Sequence, residues 1–143
     1  MSARKLRFYS RLQLAAHALK KSSDRRLLDV AGVTTAQWSA LAFVASKEVT
    51  TQTKLAKELG LNDSAITAMV RRLIDLELLE RVRDESDGRA WFLKITEKGT
   101  ETHMRVTQVS DETSTRIDGL LGEKTIAKVV SALELIILDV EEE

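Results

Sequence analysis

Apolar residues along the first part of the chain recur at helical spacing. Tyr9, Leu12, Ala16, Leu19 and Leu27 predict one long helix over residues 6–30. Ser22-Ser23-Asp24 weakens its middle and offers a place to split it, and Gly32 suits its end. Thr34 stands three residues before Gln37, a capping-box spacing that opens a second helix reaching about Ser46. Trp38, Leu41, Ala42 and Ala45 are expected on its apolar side. A short helix from about Thr51 to Leu59 follows, with Leu55, Ala56 and Leu59 directed inward. Gly60 then permits a tight turn, and Asn62 is a good N-cap for the next helix. That helix carries Ile66, Val70, Leu73 and Ile74 on one face. Its other face carries Ser64, Thr67, Ala68, Arg71 and Asp75. Two helices joined by a short glycine-containing turn have helix-turn-helix proportions.

After Leu79 the period changes. Residues 80–83 and 90–95 read as two strands rich in Val, Trp, Phe and Ile. The polar segment between them contains the turn dipeptide Asp87-Gly88, so the pair forms a hairpin with a charged tip, a wing beside the helix-turn-helix. Thr96 caps a further helix running to about Ile117. It is polar nearly all round, with Met104, Val106, Val109 and Ile117 as scattered anchors, and such helices often bridge two parts of a molecule. Gly119 and Gly122 mark its end. A last helix over residues 123–140 bears a two-heptad stripe of Ile126, Val129, Val130, Leu133, Ile136, Ile137 and Val140. The expected fold is mainly α with a small β-hairpin wing. It is a single domain in which a winged helix-turn-helix (33–96) is framed by helical regions (1–32 and 97–143).

Composition narrows the chemistry. With 143 residues the chain is long enough for one cored domain, and 22 basic residues balance 22 acidic ones. Cysteine is absent, which excludes a disulfide, a thiolate nucleophile and a thiol redox switch on this chain. Two histidines are too few for a histidine-rich zinc site. There is no Ser/His/Asp set, phosphate loop or metal-ligand spacing, so neither enzyme chemistry nor a cofactor is expected. No apolar run approaches a membrane span and the basic N-terminus lacks a secretory apolar stretch, so a cytoplasmic location without membrane contact is expected. The neutral total hides an asymmetry: residues 1–26 carry a net +7 and residues 101–143 a net −6. A basic start suggests nucleic acid, but mutual packing of the two ends, which balances their charge, is the favoured explanation.

The residues that carry a family resemblance run from Leu55-Ala56-Lys57-Glu58-Leu59-Gly60 through Ser64–Leu73 and Leu78-Leu79-Glu80-Arg81. They continue through Asp84 and Asp87-Gly88-Arg89-Ala90 to Leu93-Lys94-Ile95-Thr96-Glu97-Lys98-Gly99. Each piece alone is common among winged helices. The wing followed by Ile-Thr-Glu-Lys-Gly, with helices at both ends, is more specific, and the whole chain resembles the MarR family of bacterial transcriptional regulators. The chain also departs from that pattern. Glu77 stands where the family usually has Gly, and the turn is expected to rearrange to spare Glu77 a left-handed backbone. Gly88 removes one cation from the wing. Ala68 replaces a frequent Arg, and Arg71 stands where Asp is frequent, so base preference does not carry over.

The resemblance implies double-stranded DNA as partner, a homodimer joined by the first and last two helices, and a roughly palindromic operator, most often repressed. Ser64, Thr67, Ala68 and Arg71 form the proposed major-groove face: hydroxyls bond base edges, alanine meets a thymine methyl, and arginine takes guanine or phosphate. Arg72 and Arg83 are added as flanking contacts. Arg83, like Arg81, has an alternative role as a cation that keeps an edge strand from aggregating. Arg89 resembles the family's wing-tip arginine that enters the minor groove, where negative potential attracts a guanidinium, and Asp87 is expected to orient it. The alternative for that pair is an ordinary surface ion pair. His17, Trp38, Phe43 and Met104 are candidates for a pocket binding a small aromatic or phenolic effector; the alternative is plain core packing. A helical protein–protein adaptor whose winged helix binds no DNA is the competing function.

Overall fold

The computed structural model describes residues 3–141, with side chains for residues 7–140. Arg4 and Lys5 of the basic segment and Glu141–Glu143 of the acidic one lie outside the described side chains. The chain order is α1 (Ala3–Ala31), α2 (Thr35–Ala45), α3 (Gln52–Leu59), α4 (Asp63–Asp75), β1 (Leu79–Arg83), β2 (Trp91–Ile95), α5 (Glu97–Leu121) and α6 (Glu123–Glu141). This is the mainly α fold with a two-stranded wing that the patterning predicts. No single helix among the described residues is long and apolar enough to cross a membrane.

Helix α1 is continuous through Ser22-Ser23-Asp24 and ends where Gly32 turns to φ 68°. Asp24 does not break the helix because its carboxylate is engaged sideways. It accepts the Thr35 backbone N–H at 2.7 Å and the Thr35 hydroxyl, so α1 supplies an acceptor to the unpaired start of α2. The capping box forms as expected: Thr34 Oγ1 accepts the Gln37 N–H and Gln37 Oε1 accepts the Thr34 N–H. The inward side of α2 differs from the expected one. Ala40, Leu41 and Val44 are buried, Trp38 and Ala42 are half-buried, and Ala45 is exposed. In so uniformly apolar a helix the period leaves the face undetermined, and tertiary contacts choose it.

The bonds from Thr35, with that from Lys20, hold the Asp24 carboxyl down to about 2. A depressed carboxylate stabilises the fold fully above its unfolded value near 4, and that contribution is lost as pH falls from about 4 to 2. Asp24→Asn should therefore be less stable than the wild type by about 1–2 kcal/mol at pH 6, with the gap closing by pH 2. Denaturant melts at the two pH values measure it; a gap independent of pH would contradict the assignment.

Helix α3 starts at Thr51, whose side chain accepts the Lys54 N–H, and α4 at Asn62, whose side chain accepts the Ala65 N–H. Between them Gly60 takes φ 62°. Leu55, Ala56, Ile66, Val70 and Leu73 are buried together with Leu27, Val33, Leu41, Val44, Leu78, Leu79 and Leu93, the core that fixes α4 against its scaffold. Strands β1 and β2 pair antiparallel from Leu79↔Ile95 to Arg83↔Trp91. Thr50 adds a one-residue third strand through N–H···O bonds with Leu93 in both directions, 3.1 and 2.6 Å.

The turn after α4 corrects an expectation. Glu77 does not escape the left-handed region; it sits at φ 61°. Its surroundings hold it there. The Thr96 hydroxyl donates to the Glu77 carbonyl at 2.7 Å, and Lys98 Nζ lies 3.0 Å from the Glu77 carboxylate. The exposed ion pair contributes little, so the bonded carbonyl and the burial of Leu78 and Leu79 just beyond carry the turn. Helix α5 also runs further than expected. Gly119 lies inside it, and Gly122, at φ 78°, ends it.

The fold divides into two compact units, the first ending at Thr107 and the second beginning at Gln108, with α5 shared between them. In the second unit, the stripe of α6 is largely uncovered. Ile126 and Leu133 are half-buried, and Val129, Val130, Ile136, Ile137 and Val140 are exposed. In the first unit, α1 likewise exposes Phe8, Tyr9, Leu14, Leu19 and Leu28.

Candidate nucleic-acid interface

With Ile66, Val70 and Leu73 anchoring α4, the helix period turns Ser64, Thr67, Ala68 and Arg71 to its other side. Ser64, Ala68, Arg71 and Arg72 are exposed and Thr67 is half-buried. Thr67 is half-buried because the start of α3 leans on it: Gln52 Nε2 donates to Thr67 Oγ1 at 3.0 Å. Arg81, on β1, donates from Nη2 to Gln52 Oε1 at 3.3 Å. Thr67, Arg71, Ile74 and Arg81 line an open cleft, which joins the outer face of α4 to the root of the wing. Sequence reasoning missed Gln52. A glutamine at the first position of a helix looks like a solvated residue, and only its place beside Thr67 reveals its role.

The wing tip is built from turns. Asp84 accepts the Ser86 N–H and hydroxyl, and these two bonds hold its carboxyl below the usual carboxylate value. The Ala90 N–H donates to the Asp87 carbonyl, closing a four-residue turn at Asp87-Gly88-Arg89-Ala90. Asp87 Oδ1 accepts the backbone N–H of Arg89 at 3.1 Å. Asp87 thus meets Arg89 through the main chain, and no ion pair joins the two side chains among the described residues. Arg89 is exposed at the tip. Arg83 lies over the ring of its cross-strand partner Trp91, 5.2 Å from the centroid, which spreads its guanidinium along the hairpin. Asp84, Glu85 and Asp87 surround these cations, so Arg89 is the one positive group at the tip of an otherwise acidic loop.

The four candidate effector residues are not brought together in the same way. His17 lines a shallow hollow with Lys20, Lys21, Asp24, Arg25 and Leu28 on its own helix, shared with none of the other three. Trp38 is half-buried, stacks on His103 and donates its indole N–H to His103 Nδ1 at 3.1 Å. Phe43 is half-buried with Lys47 over its ring. Met104 is 66% exposed, so it does not anchor α5 as its apolar character suggests; Val106 and Thr102 do, both buried.

Residues 31–90 match the model of the MarR family. Among curated proteins, the chain is 33% identical over 73 residues to an organic hydroperoxide resistance transcriptional regulator of Bacillus subtilis. That match covers 51% of this chain and spans about half (50%) of the relative. It is 25% identical over 100 residues to the HTH-type transcriptional regulator FarR of Neisseria gonorrhoeae, covering 70% of this chain and 68% of the relative. Among solved structures, a MarR family regulator from Streptomyces coelicolor in complex with DNA superposes with TM-score 0.85 at 21% identity, covering 96% of this chain and 88% of that one. The regulator BldR from Sulfolobus solfataricus gives 0.77 at 22% identity, covering 97% and 99%. At such identities the structural likeness establishes the fold.

Proposed function

We propose that this chain, whose residues 31–90 match the model of the MarR family, is a DNA-binding repressor acting as a two-fold homodimer on a roughly palindromic operator. The observation that carries the reading is the pairing of a polar, exposed face on α4 with an unpaired Arg89 at the wing tip. In a dimer the two α4 helices enter successive major grooves, so the half-sites lie about one helical turn apart, roughly 34–36 Å. The apolar faces exposed on α1 and α6 support the dimer, since large contiguous apolar patches are uncommon on monomers. Selection of bound sequences from random duplex DNA tests the whole reading. An inverted repeat with that spacing supports it; a direct repeat, a lone half-site or no enrichment overturns it, the last in favour of a protein-binding adaptor.

Arg89 and Thr67 should separate positioning from reading. Each phosphate-neutralising cation contributes about −0.9 to the slope of log K against log salt. Arg89 occurs twice in the dimer, so Arg89→Ala should weaken binding to every sequence and reduce the slope by about two. Thr67→Ala should leave the slope intact and relax preference at one base pair per half-site, where a mismatch costs about 1–3 kcal/mol. An unchanged slope in Arg89→Ala with altered major-groove preference would show that the wing does not lie along the DNA.

A small aromatic or phenolic effector would lodge beside Trp38, a half-buried aromatic among the four candidates. Ligand quenching of Trp38 emission, retained in Trp91→Phe and lost in Trp38→Phe, tests that placement; quenching unaffected by Trp38→Phe sinks it. The hydroperoxide response named for the Bacillus relative has no thiol to act through in this chain.

A further inference from the structure

We propose that Gln52 is a specificity-determining positioning residue: it commits the Thr67 hydroxyl to donating a hydrogen bond to DNA, and so decides which base edge Thr67 reads. The inference rests on the DNA-binding reading above.

The argument begins at Arg81. A guanidinium only donates hydrogen bonds. Its contact with Gln52 at 3.3 Å therefore fixes the amide orientation, oxygen toward Arg81 and NH2 toward Thr67. The amide nitrogen donates to Thr67 Oγ1 at 3.0 Å, which occupies one of the hydroxyl's acceptor sites. The hydroxyl proton remains. Elsewhere in the fold, helical hydroxyls spend that proton on the carbonyl one turn back, as Ser39, Thr100, Thr107 and Thr115 do. Thr67 makes no such bond. Its proton is free, and Thr67 lines the open cleft between α4 and the wing root.

A free hydroxyl reads either kind of base edge, because it both donates and accepts. One already accepting from Gln52 is biased to donate. Guanine N7 and O6, adenine N7 and thymine O4 accept such a bond. Cytosine, whose major-groove edge offers only the N4 amino donor, does not. The chain Arg81–Gln52–Thr67 thus converts a permissive side chain into a directional one, using a residue on α3 and another on β1 that need not touch the base.

Gln52→Glu reverses the polarity. A carboxylate accepts from both neighbours, Arg81 on one side and the Thr67 hydroxyl on the other, leaving only lone pairs directed at the DNA. The substitution also places an acid in the first turn of α3, which favours the helix, so folding is preserved. The experiment is selection from random duplex DNA with four proteins: wild type, Gln52→Glu, Thr67→Val, and the double variant. The wild type should exclude cytosine at one position in each half-site by about 5- to 150-fold, the span of a single mismatch. Gln52→Glu should move that preference toward cytosine or adenine, whatever the uniform loss from its added charge. In the Thr67→Val background, Gln52→Glu should leave the profile at that position unchanged. A Gln52→Glu profile identical to the wild type overturns the proposal, as does a shift that persists without the Thr67 hydroxyl. Failure of the wild type to select any sequence removes the DNA reading itself, a result distinct from either.

Discussion

Replacing Leu133 and Ile137 together by aspartate is expected to yield a monomer or an aggregate in place of a dimer. The two residues lie one turn apart on the α6 stripe, Leu133 half-buried and Ile137 55% exposed in the single chain. In a two-fold dimer each substitution appears twice, placing four carboxylates in an apolar seam. Moving an ionised group out of water without a partner costs several kcal/mol even after relaxation. Four such groups exceed what a typical apolar helix–helix seam returns. Sedimentation at micromolar concentration reads the outcome. If the wild type itself sediments as a monomer, the α6 stripe is not a dimer seam and the two-headed DNA reading falls with it.

Gly99→Ala is the second large effect, and it runs against local propensity. Gly99 lies in the first turn of α5, where alanine as a helix former would be better by about 1 kcal/mol. Packing decides otherwise. A Cβ at this position would lie 2.1 Å from the Leu78 carbonyl oxygen and 2.8 Å from Ile95 Cγ1. The Leu78 carbonyl has little room to yield, because it accepts the Thr96 N–H at 3.1 Å and follows directly on the left-handed Glu77. Relief requires α5 to lift from the turn between α4 and β1. Overpacking of this kind against backbone should exceed the usual 1–3 kcal/mol, so about 3 kcal/mol or more is expected after the propensity gain. Urea denaturation measures it, and a Gly99→Ala protein as stable as the wild type would contradict the close approach.

These two cases show why parts of the molecule were legible in the sequence and others were not. The caps at Thr34 and Asn62 are local: side chain and partner are three residues apart, so spacing alone predicts them. The face of α4 was legible in Ile66, Val70 and Leu73, which recur at helical spacing among polar residues, but Ile74, expected beside them, is half-buried and lines the cleft with Thr67 and Arg71. The face of α2 was not, because its apolar residues surround the helix and only neighbours select Ala40 and Val44 over Ala45. Glu77 is the clearest divergence. A single-residue rule says that a non-glycine avoids positive φ, and the energetic penalty is of order 1–2 kcal/mol. The buried Leu78 and Leu79 just beyond the turn help to offset it, and so does the Thr96 hydroxyl, which lies too far along the chain for any local window to cover. Gln52 and the Thr50–Leu93 bridge fall in the same class, since both are long-range in sequence. Of the four effector candidates, Met104 shows that apolar character without period carries little positional information.

The Thr50–Leu93 bridge also sets the mechanics of the wing. At its root the hairpin is gripped on both sides of β2, by β1 along the ladder and by Thr50 through two short bonds, and the Gly99 contact wedges α5 close behind. Beyond Arg83 one more bond crosses the hairpin, from the Asp84 N–H to the Ala90 carbonyl at 3.1 Å, and the tip past it is held by the Asp84 and Asp87 turns, each closed within a few residues. Stiffness therefore falls steeply from root to tip. Such a wing behaves as a cantilever with a clamped base and a compliant end. On the proposed DNA-binding reading, its terminal arginine would follow grooves of differing width with little force returned to α4, so that helix would keep its alignment while the tip adjusts.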